Sequence, residues 1–448
     1  MNLLVVDMTH GGLVLATELS KICGTEVMAW DIYGTVDEPT RNEYNKKGLN
    51  FVDNISTPSD DDLMVIAPVH CKIESKVDMS HHDAVKYILK DKIDVPVIEV
   101  TGVKGKTTVV GMLKEIFKER KPLVLSSLGI EIFNGNEWKL LKQNISITPA
   151  SIIEAWQLAR GHDVGICIFE TSLGGTGLAD VGVLTNLVED YPIASSSSSA
   201  SIAKEQIFKS KLVACDLDSF NSHYAEFSKK TNTYYNKSDG KKIGVNLSAD
   251  TLKMNFDVTE LRVDMTDFKT INNNSLNGSF ELSTFAPASI HIYNVLAAVA
   301  ASLMLEIPIK TIQTGMANFK GLKGRTSIKN IGDIRVVEEI NPGLNVTAVK
   351  ESLFMMADMD NVTVIFGGKY GVTCEEIDEC SVSKVLDTIK GNIRLILVDE
   401  LGNSVKNMIT RKFDYYGNLD DGLEIAKENK NSNILLIYRS NYSDLKNR

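Results

Sequence analysis

Several things are missing from this 448-residue chain, and each absence narrows what it does. No apolar run approaches the length of a membrane span, which argues against an integral membrane protein. The opening M-N-L-L-V-V-D lacks the basic start and small-residue cleavage site of a secretory leader; it reads as a first strand. No C-x-x-C pair exists. Cys23, Cys71, Cys167, Cys215, Cys374 and Cys380 are scattered, so neither a zinc site nor a disulfide framework is expected. An excess of positive charge is also missing: the net charge is −10, which argues against a general binder of nucleic-acid backbones. No internal repeat of fixed period is visible. What remains is the profile of a cytoplasmic enzyme, long enough for two to four domains.

The most informative stretch present is residues 97–108, V-I-E-V-T-G-V-K-G-K-T-T. A short apolar, β-branched segment ends in a glycine-rich turn, and V-V-G-M-L-K-E-I-F continues as a helix. Gly102 and Gly105 let the backbone turn tightly with its N–H groups inward, and the helix start adds a positive dipole end. Lys106 can then reach outer phosphates, and the Thr107 hydroxyl can ligate Mg²⁺. Lys104 and Thr108 complete the expected nucleotide loop. The pattern is shortened, because the usual first glycine of a P-loop falls here on Val100.

Strands and helices alternate along the whole chain, which predicts parallel sheets covered by helices and an α/β fold. In the first segment, strands are expected at 3–7, 26–31 and 63–67, and a helix at 11–22. The turn D-M-T-H-G-G at 7–12 sits at the carboxyl end of the first strand. It reads either as a tight structural turn or as a loop touching a ligand through His10, Gly11 and Gly12. His70 is expected at the same sheet edge. The second segment predicts strands at 122–125, 164–170 and 181–186, helices at 150–159, 201–213 and 290–305, and loops or hairpins at 221–240 and 272–278. The five serines at 195–199 read as a loop near a site. The third segment predicts strands at 334–339, 362–366, 393–398 and 434–438, and helices at 346–356 and 381–389. The expected domains are 1–90, 91–325 and 326–448.

Several side chains fall where ligands bind such sheets. Glu170 ends the apolar run V-G-I-C-I-F-E, and a strand-end carboxylate beside a phosphate loop is a natural Mg²⁺ ligand. Asn186, Glu189 and Asp190 end the next strand and are expected on the same rim. Taken alone, Lys204 reads as a surface lysine. His291 and Asn294 share a face at the head of a helix. Gly324-Arg325 falls where a hinge between domains is expected, from which an arginine can swing onto phosphate. F-G-G-K at 366–369 reads as a further loop at a sheet's carboxyl edge.

Together these segments resemble the Mur ligase superfamily of ATP-dependent ligases over roughly residues 90–370. The resemblance rests on T-G-V-K-G-K-T-T at 101–108, Glu170, T-N-L-V-E-D-Y at 185–191 and A-K-E-Q-I-F at 203–208. It continues through H-I-Y-N-V-L-A-A-V-A at 291–300, G-R at 324–325, E-E-I-N-P at 338–342 and F-G-G at 366–368. It implies three α/β domains: a Rossmann-like N-terminal substrate domain, a central P-loop ATPase and a C-terminal domain closing on the nucleotide. It also implies activation of a carboxylate as an acyl phosphate, with ATP and Mg²⁺. Lys106 and the loop glycines would bind phosphate, and Thr107 and Glu170 would hold Mg²⁺. Lys204 matches a lysine often carbamylated to bridge a second Mg²⁺. Asn294 would contact the adenine side, Arg325 the γ-phosphate region, and Glu338 or Glu339 the ribose. The chain departs from the pattern at Tyr191, where a histidine is usual, and in having Glu where the C-terminal acid is commonly Asp.

D-M-T-H-G-G, W-D-I-Y-G-T at 30–35 and S-L-G-G-T-G-L-A-D at 172–180 resemble one branch of the superfamily, the synthetases that complete the nickel tetrapyrrole coenzyme F430. That resemblance implies a small-molecule substrate, a nickel tetrapyrrole acid, closed into a carbocycle by attack of a ring carbon on its own acyl phosphate. Gly174 and Gly175 would then allow close approach of a flat macrocycle. The alternatives are a peptide ligase of the same superfamily and a nucleotide-binding regulator without ligase activity.

Overall fold

The computed structural model describes residues 2–24, 26–53, 63–255, 257–322, 324–356, 359, 361–371, 377–389, 393–428, 433–440 and 445. Cys374 lies outside them. The chain folds as two compact units. The first comprises 1–252, 260–283 and 289–318, and the second 253–259, 284–288 and 319–448.

The first unit begins with β1 (Asn2–Val6), α1 (Leu13–Cys23), β2 (Val27–Trp30), α2 (Glu38–Asn45), β3 (Leu49–Val52), β4 (Leu63–Ala67), β5 (Met79–Ser80) and α3 (His81–Leu89). The strands form a parallel sheet in the order β3-β2-β1-β4-β5. Strand order reverses at β1, and a crevice opens at the carboxyl end of such a strand. The helix expected at 11–22 starts only at Leu13, because His10 and Gly11 leave helical geometry and Met8–Gly12 forms a separate turn. The Ser80 hydroxyl caps α3 by accepting from the Asp83 amide at 3.0 Å.

The chain continues through β6 (Val97–Thr101), α4 (Lys106–Ile116), β7 (Pro122–Ser126), β8 (Gly129–Phe133), β9 (Trp138–Lys142), α5 (Ala150–Leu158), β10 (Ile166–Glu170) and β11 (Val181–Leu184). A small ribbon of β12 (Pro192–Ile193) and β13 (Ser198–Ser199) follows, then α6 (Ala200–Lys204), β14 (Leu212–Asp216), α7 (Leu217–Ser219) and β15 (Thr231–Asn236). β16 (Leu247–Met254), β17 (Thr259–Lys269), β18 (Ser275–Thr284), α8 (Ser289–Met304) and α9 (Ile309–Asn318) complete this stretch. The strands make one sheet in the order β18-β17-β16-β15-β14-β11-β6-β10-β7-β8-β9, with β6 between β11 and β10. β6 and β10 are buried along their whole length, so their apolar runs are the mark of a covered parallel sheet. One apolar cluster runs from Leu3, Val5 and Leu15 through Ile88 and Ile152 to Val97, Leu123 and Phe169, joining both sheets into one body.

Two expectations for this stretch need correction. The helix expected at 201–213 stops at Lys204, continues as a 3₁₀ turn to Lys209, and gives way to the buried strand β14. The loop expected at 221–240 contains β15, a fully buried strand. The serine tract turns at Ala194, Ser195 and Ser196, all with positive φ, between the two short ribbon strands.

The second unit carries β19 (Arg325–Ile331), β20 (Ile334–Ile340), α10 (Val346–Met355), β21 (Val362–Gly368), α11 (Glu379–Asp387), β22 (Arg394–Val398), α12 (Asp399–Val405), β23 (Asp414–Tyr416), α13 (Leu419–Lys427) and β24 (Asn433–Arg439). Its sheet runs β19-β20-β24-β21-β22-β23, parallel except for the β19–β20 pair. The glycines of 366–369 belong to the end of β21 and not to a loop, since that strand continues to Gly368. A Cβ on Gly367 would stand 2.2 Å from the Val398 carbonyl oxygen, so these glycines allow close strand packing.

Candidate functional site

The turn between β6 and α4 is held open from outside. The Lys104 amide donates to the Asn186 side chain at 3.1 Å, and the Thr185 hydroxyl and Asn186 amide both donate to the Lys104 carbonyl. Gly102 and Gly105 have φ of 141° and 85°, which a residue with a side chain adopts only at a cost. Space forbids a side chain as well: a Cβ on Gly105 would lie 2.1 Å from the Asn294 oxygen, and one on Gly102 1.9 Å from the Thr185 hydroxyl. Asn294 is buried on α8, so the structure places it against the phosphate loop. Lys106 folds back over the turn, its Nζ donating to the Gly102 carbonyl at 3.1 Å.

Behind the loop stands a set of hard oxygen donors. Thr107 and Glu170 are both buried, and the Thr107 hydroxyl donates to Glu170 Oε1 at 3.0 Å. Ser127 joins them, with its Oγ 3.1 Å from Thr107 Oγ1 and its amide donating to Glu170 Oε2 at 3.0 Å. Hydroxyl and carboxylate oxygens beside a phosphate loop are the donor chemistry that suits Mg²⁺. Sequence reasoning missed Ser127; its only local signal is a serine just after a buried strand.

Lys204 is fully buried, and its Nζ donates to the Ser172 carbonyl at 2.6 Å. The surface position expected from its residue type alone is thereby corrected. Burial, together with the charge of Lys106, lowers its ammonium to about 7. A buried lysine held near neutrality exposes an amine able to act as a nucleophile toward CO₂.

Residues 172–177 cross over β6. Glu99, wholly buried within that strand, accepts from the amide and hydroxyl of Thr176, and burial raises its carboxyl to about 7. Gly174 and Gly175 are buried here. A Cβ on Gly174 would stand 2.5 Å from the Ala203 carbonyl oxygen, and one on Gly175 2.6 Å from Glu99 Oε2. Protein atoms already fill the space these glycines leave, so a macrocycle reaching their faces would have to displace them. Of the other rim residues, Asn186 braces the loop, while Asp190 accepts from the Ser201 amide and hydroxyl at 2.7 Å each. Tyr191 accepts from the Ala200 amide through its carbonyl. His291, at the head of α8, is half-buried, and desolvation lowers its imidazole to about 4.

The turn after β1 is organised around Asp7, which is wholly buried with φ of 71°. Its carboxylate accepts from the Thr9 and His10 amides and faces the rings of both His10 and His70. The meeting of His10 and His70 at one sheet edge is as the sequence suggested; the carboxylate that joins them was not anticipated. Gly12 is needed because a Cβ there would lie 2.1 Å from the Asp7 carbonyl oxygen. Gly11 packs on Ala150 and Thr148, beside the 147–172 contact made by the Ser172 amide and the Ile147 carbonyl.

In the second unit, Arg325 pairs with Glu339 across β19 and β20. The Thr326 hydroxyl donates to Glu339 Oε2 at 2.7 Å, and Glu339 is buried. Glu338 is more exposed, with its carboxyl raised by partial burial. Glu338 is the freer of the two for a ligand.

Comparison with known proteins bears on this arrangement. A MurF ligase of Thermotoga maritima, solved in complex with ADP, superposes with a TM-score of 0.59 at 14% identity, covering 94% of each chain. That likeness establishes the fold. Residues 328–441 match the family model described as "Coenzyme F430 synthetase CfbE, C-terminal domain". The coenzyme F(430) synthetase of Methanosarcina acetivorans is 28% identical, covering 95% of both chains. That of Methanocaldococcus jannaschii is 29% identical, covering 95% of this chain and 98% of the other. The chain has the fold of the Mur ligases and is similar to members of that superfamily in sequence. Within that superfamily its likeness to coenzyme F430 synthetases runs nearly end to end, whereas that to UDP-N-acetylmuramoyl-L-alanyl-D-glutamate–2,6-diaminopimelate ligase of Bacillus velezensis covers 52% of the chain. Among the described residues, no helix is long and apolar enough to cross a membrane.

Proposed function

We propose that this chain is an ATP-dependent ligase of the coenzyme F430 synthetase type, acting in the cytoplasm on a nickel tetrapyrrole acid. Its likeness to two such synthetases over 95% of its length carries the reading. The phosphate loop, Lys106 and buried Lys204 supply chemistry suited to it. The terminal phosphoryl group of ATP passes to a propionate oxygen of the substrate, giving an acyl phosphate and ADP. A ring carbon of the same molecule then attacks the acyl carbon, loses its proton, and expels inorganic phosphate as the carbon–carbon bond forms. No second substrate need bind, and no nucleic acid or membrane takes part.

Each residue has a part in this scheme. Gly102, Lys104, Gly105 and Thr108 cradle the phosphates, and Lys106 offsets the charge of the group in transfer. Thr107 and Glu170 are the proposed Mg²⁺ ligands; the metal, when bound, neutralises phosphate charge. Lys204, if carbamylated, presents a carboxylate to a second such ion. Asn294 fixes the loop from behind. In the second unit, Arg325 is proposed as a phosphate contact and Glu338 or Glu339 as the ribose contact. Domains at 1–90, 91–325 and 326–448 are part of the same proposal.

The test is an anaerobic phosphate-release assay with ATP and single acceptors. Release that depends on the nickel seco-tetrapyrrole acid alone supports the reading. Release that depends on an amino acid instead would make the chain a peptide ligase, and ATP binding without acceptor-dependent turnover would make it a regulator.

A further inference from the structure

The Asp7–His10–His70 cluster is outside the phosphate chemistry, and nothing in that chemistry uses it. Its geometry is specific. Asp7 Oδ1 accepts from the Thr9 amide at 3.0 Å and the His10 amide at 3.2 Å. Asp7 Oδ2 takes His10 Nδ1 at 2.8 Å and His70 Nε2 at 3.1 Å. An ionised carboxylate only accepts, so both ring nitrogens donate. With Nδ1 committed as donor, the remaining His10 nitrogen, Nε2, is left as the ligating position. A carboxylate that fixes one imidazole nitrogen while the other is presented outward is the support metal-binding histidines use. The ring is further held edge-on by His70 at 4.8 Å and by Tyr33 at 5.7 Å between centroids. The His10 side chain is 46% exposed, whereas Asp7 is sealed.

Two occupants suit such a cluster. The three residues offer ligand atoms within 4.8 Å of one another, so a bare divalent cation is one. Yet both Asp7 oxygens are already taken by four donors, and the His70 nitrogen that faces the cluster is spent on Asp7. His70 is also engaged by the Cys71 side chain, which leaves His10 Nε2 as the outward imidazole nitrogen, and a bare ion needs three or more protein ligands. One nitrogen is what a metal lacks when a macrocycle already fills its four equatorial positions. Imidazole also suits nickel.

We propose that His10 Nε2 is an axial ligand to the nickel of the tetrapyrrole substrate, with Asp7 as its positioning carboxylate. This rests on the function proposed above and names how the substrate is held. The loop is well placed for it. Gly11 packs on Thr148 and Ala150, the neighbouring Ile147 carbonyl accepts from the Ser172 amide, and the Ser172 carbonyl accepts from Lys204. A continuous run of contacts within one unit therefore joins the metal-holding turn to the buried lysine. A macrocycle pinned through its metal presents its carboxylate side chains at a fixed reach, which is the positioning that acyl transfer requires.

The experiment uses the full-length protein, anaerobic, with the nickel(II) seco-tetrapyrrole acid and its metal-free form, without ATP. The readouts are the absorption spectrum, the nickel X-ray absorption edge and the Kd of each form. Wild type is expected to raise the nickel coordination number on binding. His10→Ala is expected to leave it four-coordinate, and added imidazole to restore the wild-type spectrum. Asp7→Asn is expected to weaken the nickel form by roughly tenfold or more while leaving the metal-free form within twofold. His10→Gln, which keeps a polar side chain of similar size, guards against loss of folding and is expected to behave as His10→Ala.

An unchanged nickel spectrum in His10→Ala would overturn the proposal. So would stoichiometric binding of Zn²⁺ or Ni²⁺ alone that all three residues are needed to support. If the precursor drives phosphate release while its nickel stays four-coordinate, only the ligation fails. If it neither binds nor drives release, the proposed function fails with it.

Discussion

Two βα turns occupy equivalent places in neighbouring sheets of the same unit, and they are built on opposite electrostatics. Each follows a strand with parallel neighbours on both sides, β1 between β2 and β4, β6 between β11 and β10. Each ends at the start of a helix. After β6 the turn is glycine-lined and braced by side chains that take its carbonyl and one amide from outside, which leaves its centre to an anion. After β1 a buried carboxylate takes the amides of Thr9 and His10 for itself. An anion has no place there; the turn offers imidazole instead. Position in an α/β sheet makes both turns candidate sites, and they differ in a buried carboxylate, Asp7, in one and two glycines, Gly102 and Gly105, in the other.

The largest effect should come from the anion-binding turn. Lys106→Ala is expected to lower acceptor-dependent phosphate release by about 10²-fold to 10³-fold, since it removes the charge proposed to offset that of the transferring group. Undiminished release would show that the two turns do not differ as argued. Lys204→Ala is expected to be similarly damaging, with partial recovery in short carboxylic acids if the lysine acts as a carbamate. Its ammonium sits at about 7, so ¹³CO₂ labelling should rise as pH passes upward through neutrality. A label that grew only near pH 10.5, or none at all, would return Lys204 to an ordinary structural lysine.

How much of this was legible differs between the turns for a physical reason. The phosphate loop is a local pattern, and its glycines, Lys106 and Thr107 do their work within one strand–turn–helix. The β1 turn was read only as far as His10 and its glycines, because Asp7 and His70 meet across 63 residues. The same limit explains the errors in the fold. β15 reads T-N-T-Y-Y-N, a polar string. It is buried only because Asn232 reaches the Lys269 carbonyl, Tyr234 the Leu184 and Thr185 carbonyls, and Asn236 the Ser289 hydroxyl. None of those partners is a neighbour in sequence. β14 was lost differently: L-V-A-C-D is a short apolar run that periodicity cannot tell from helix. In the second unit β20, β21, β22, β24, α10 and α11 were legible to within two residues at each end, whereas β19, α12, β23 and α13 were not read.

The imidazole turn can be probed through stability. Burial opposes both shifts, yet hydrogen bonds to Asp7 and Cys71 raise His70 to about 9, against an ordinary value of 6.5, and those from His70 and His10 lower Asp7. A raised histidine stabilises fully below its unfolded pKa and loses that contribution as pH climbs through the folded one; a lowered Asp stabilises above 3.8 and loses it as pH falls through its folded value. The pair should therefore support the fold best between about pH 4 and 6.5 and fade toward pH 9. Lys204 works in the opposite direction: lowered on folding, it makes stability rise between about 7 and 10.5. The informative quantity is the difference in urea midpoint between wild type and His70→Gln. It should shrink as pH rises from 6 to 9.5, and a difference independent of pH would mean that the two histidines do not share the carboxylate's charge.

The smallest effect, and the sharpest test of the comparison, lies at Gly105. Gly105→Ala meets two penalties: a φ of 85° and a Cβ 2.1 Å from the Asn294 oxygen. Gly24, at the end of α1, has a φ of 63° with nothing within 4 Å of its would-be Cβ. Gly24→Ala thus measures backbone strain alone, about 1–2 kcal/mol. Gly105→Ala should exceed it, and the excess should fall when Asn294→Ala is added, with a coupling of roughly 1 kcal/mol. ATP affinity should drop in Gly105→Ala and recover only in part in the double variant, because the strained backbone remains. If the two glycine substitutions cost the same, Asn294 does not shape the loop, and the anion-binding turn owes its form to its backbone alone.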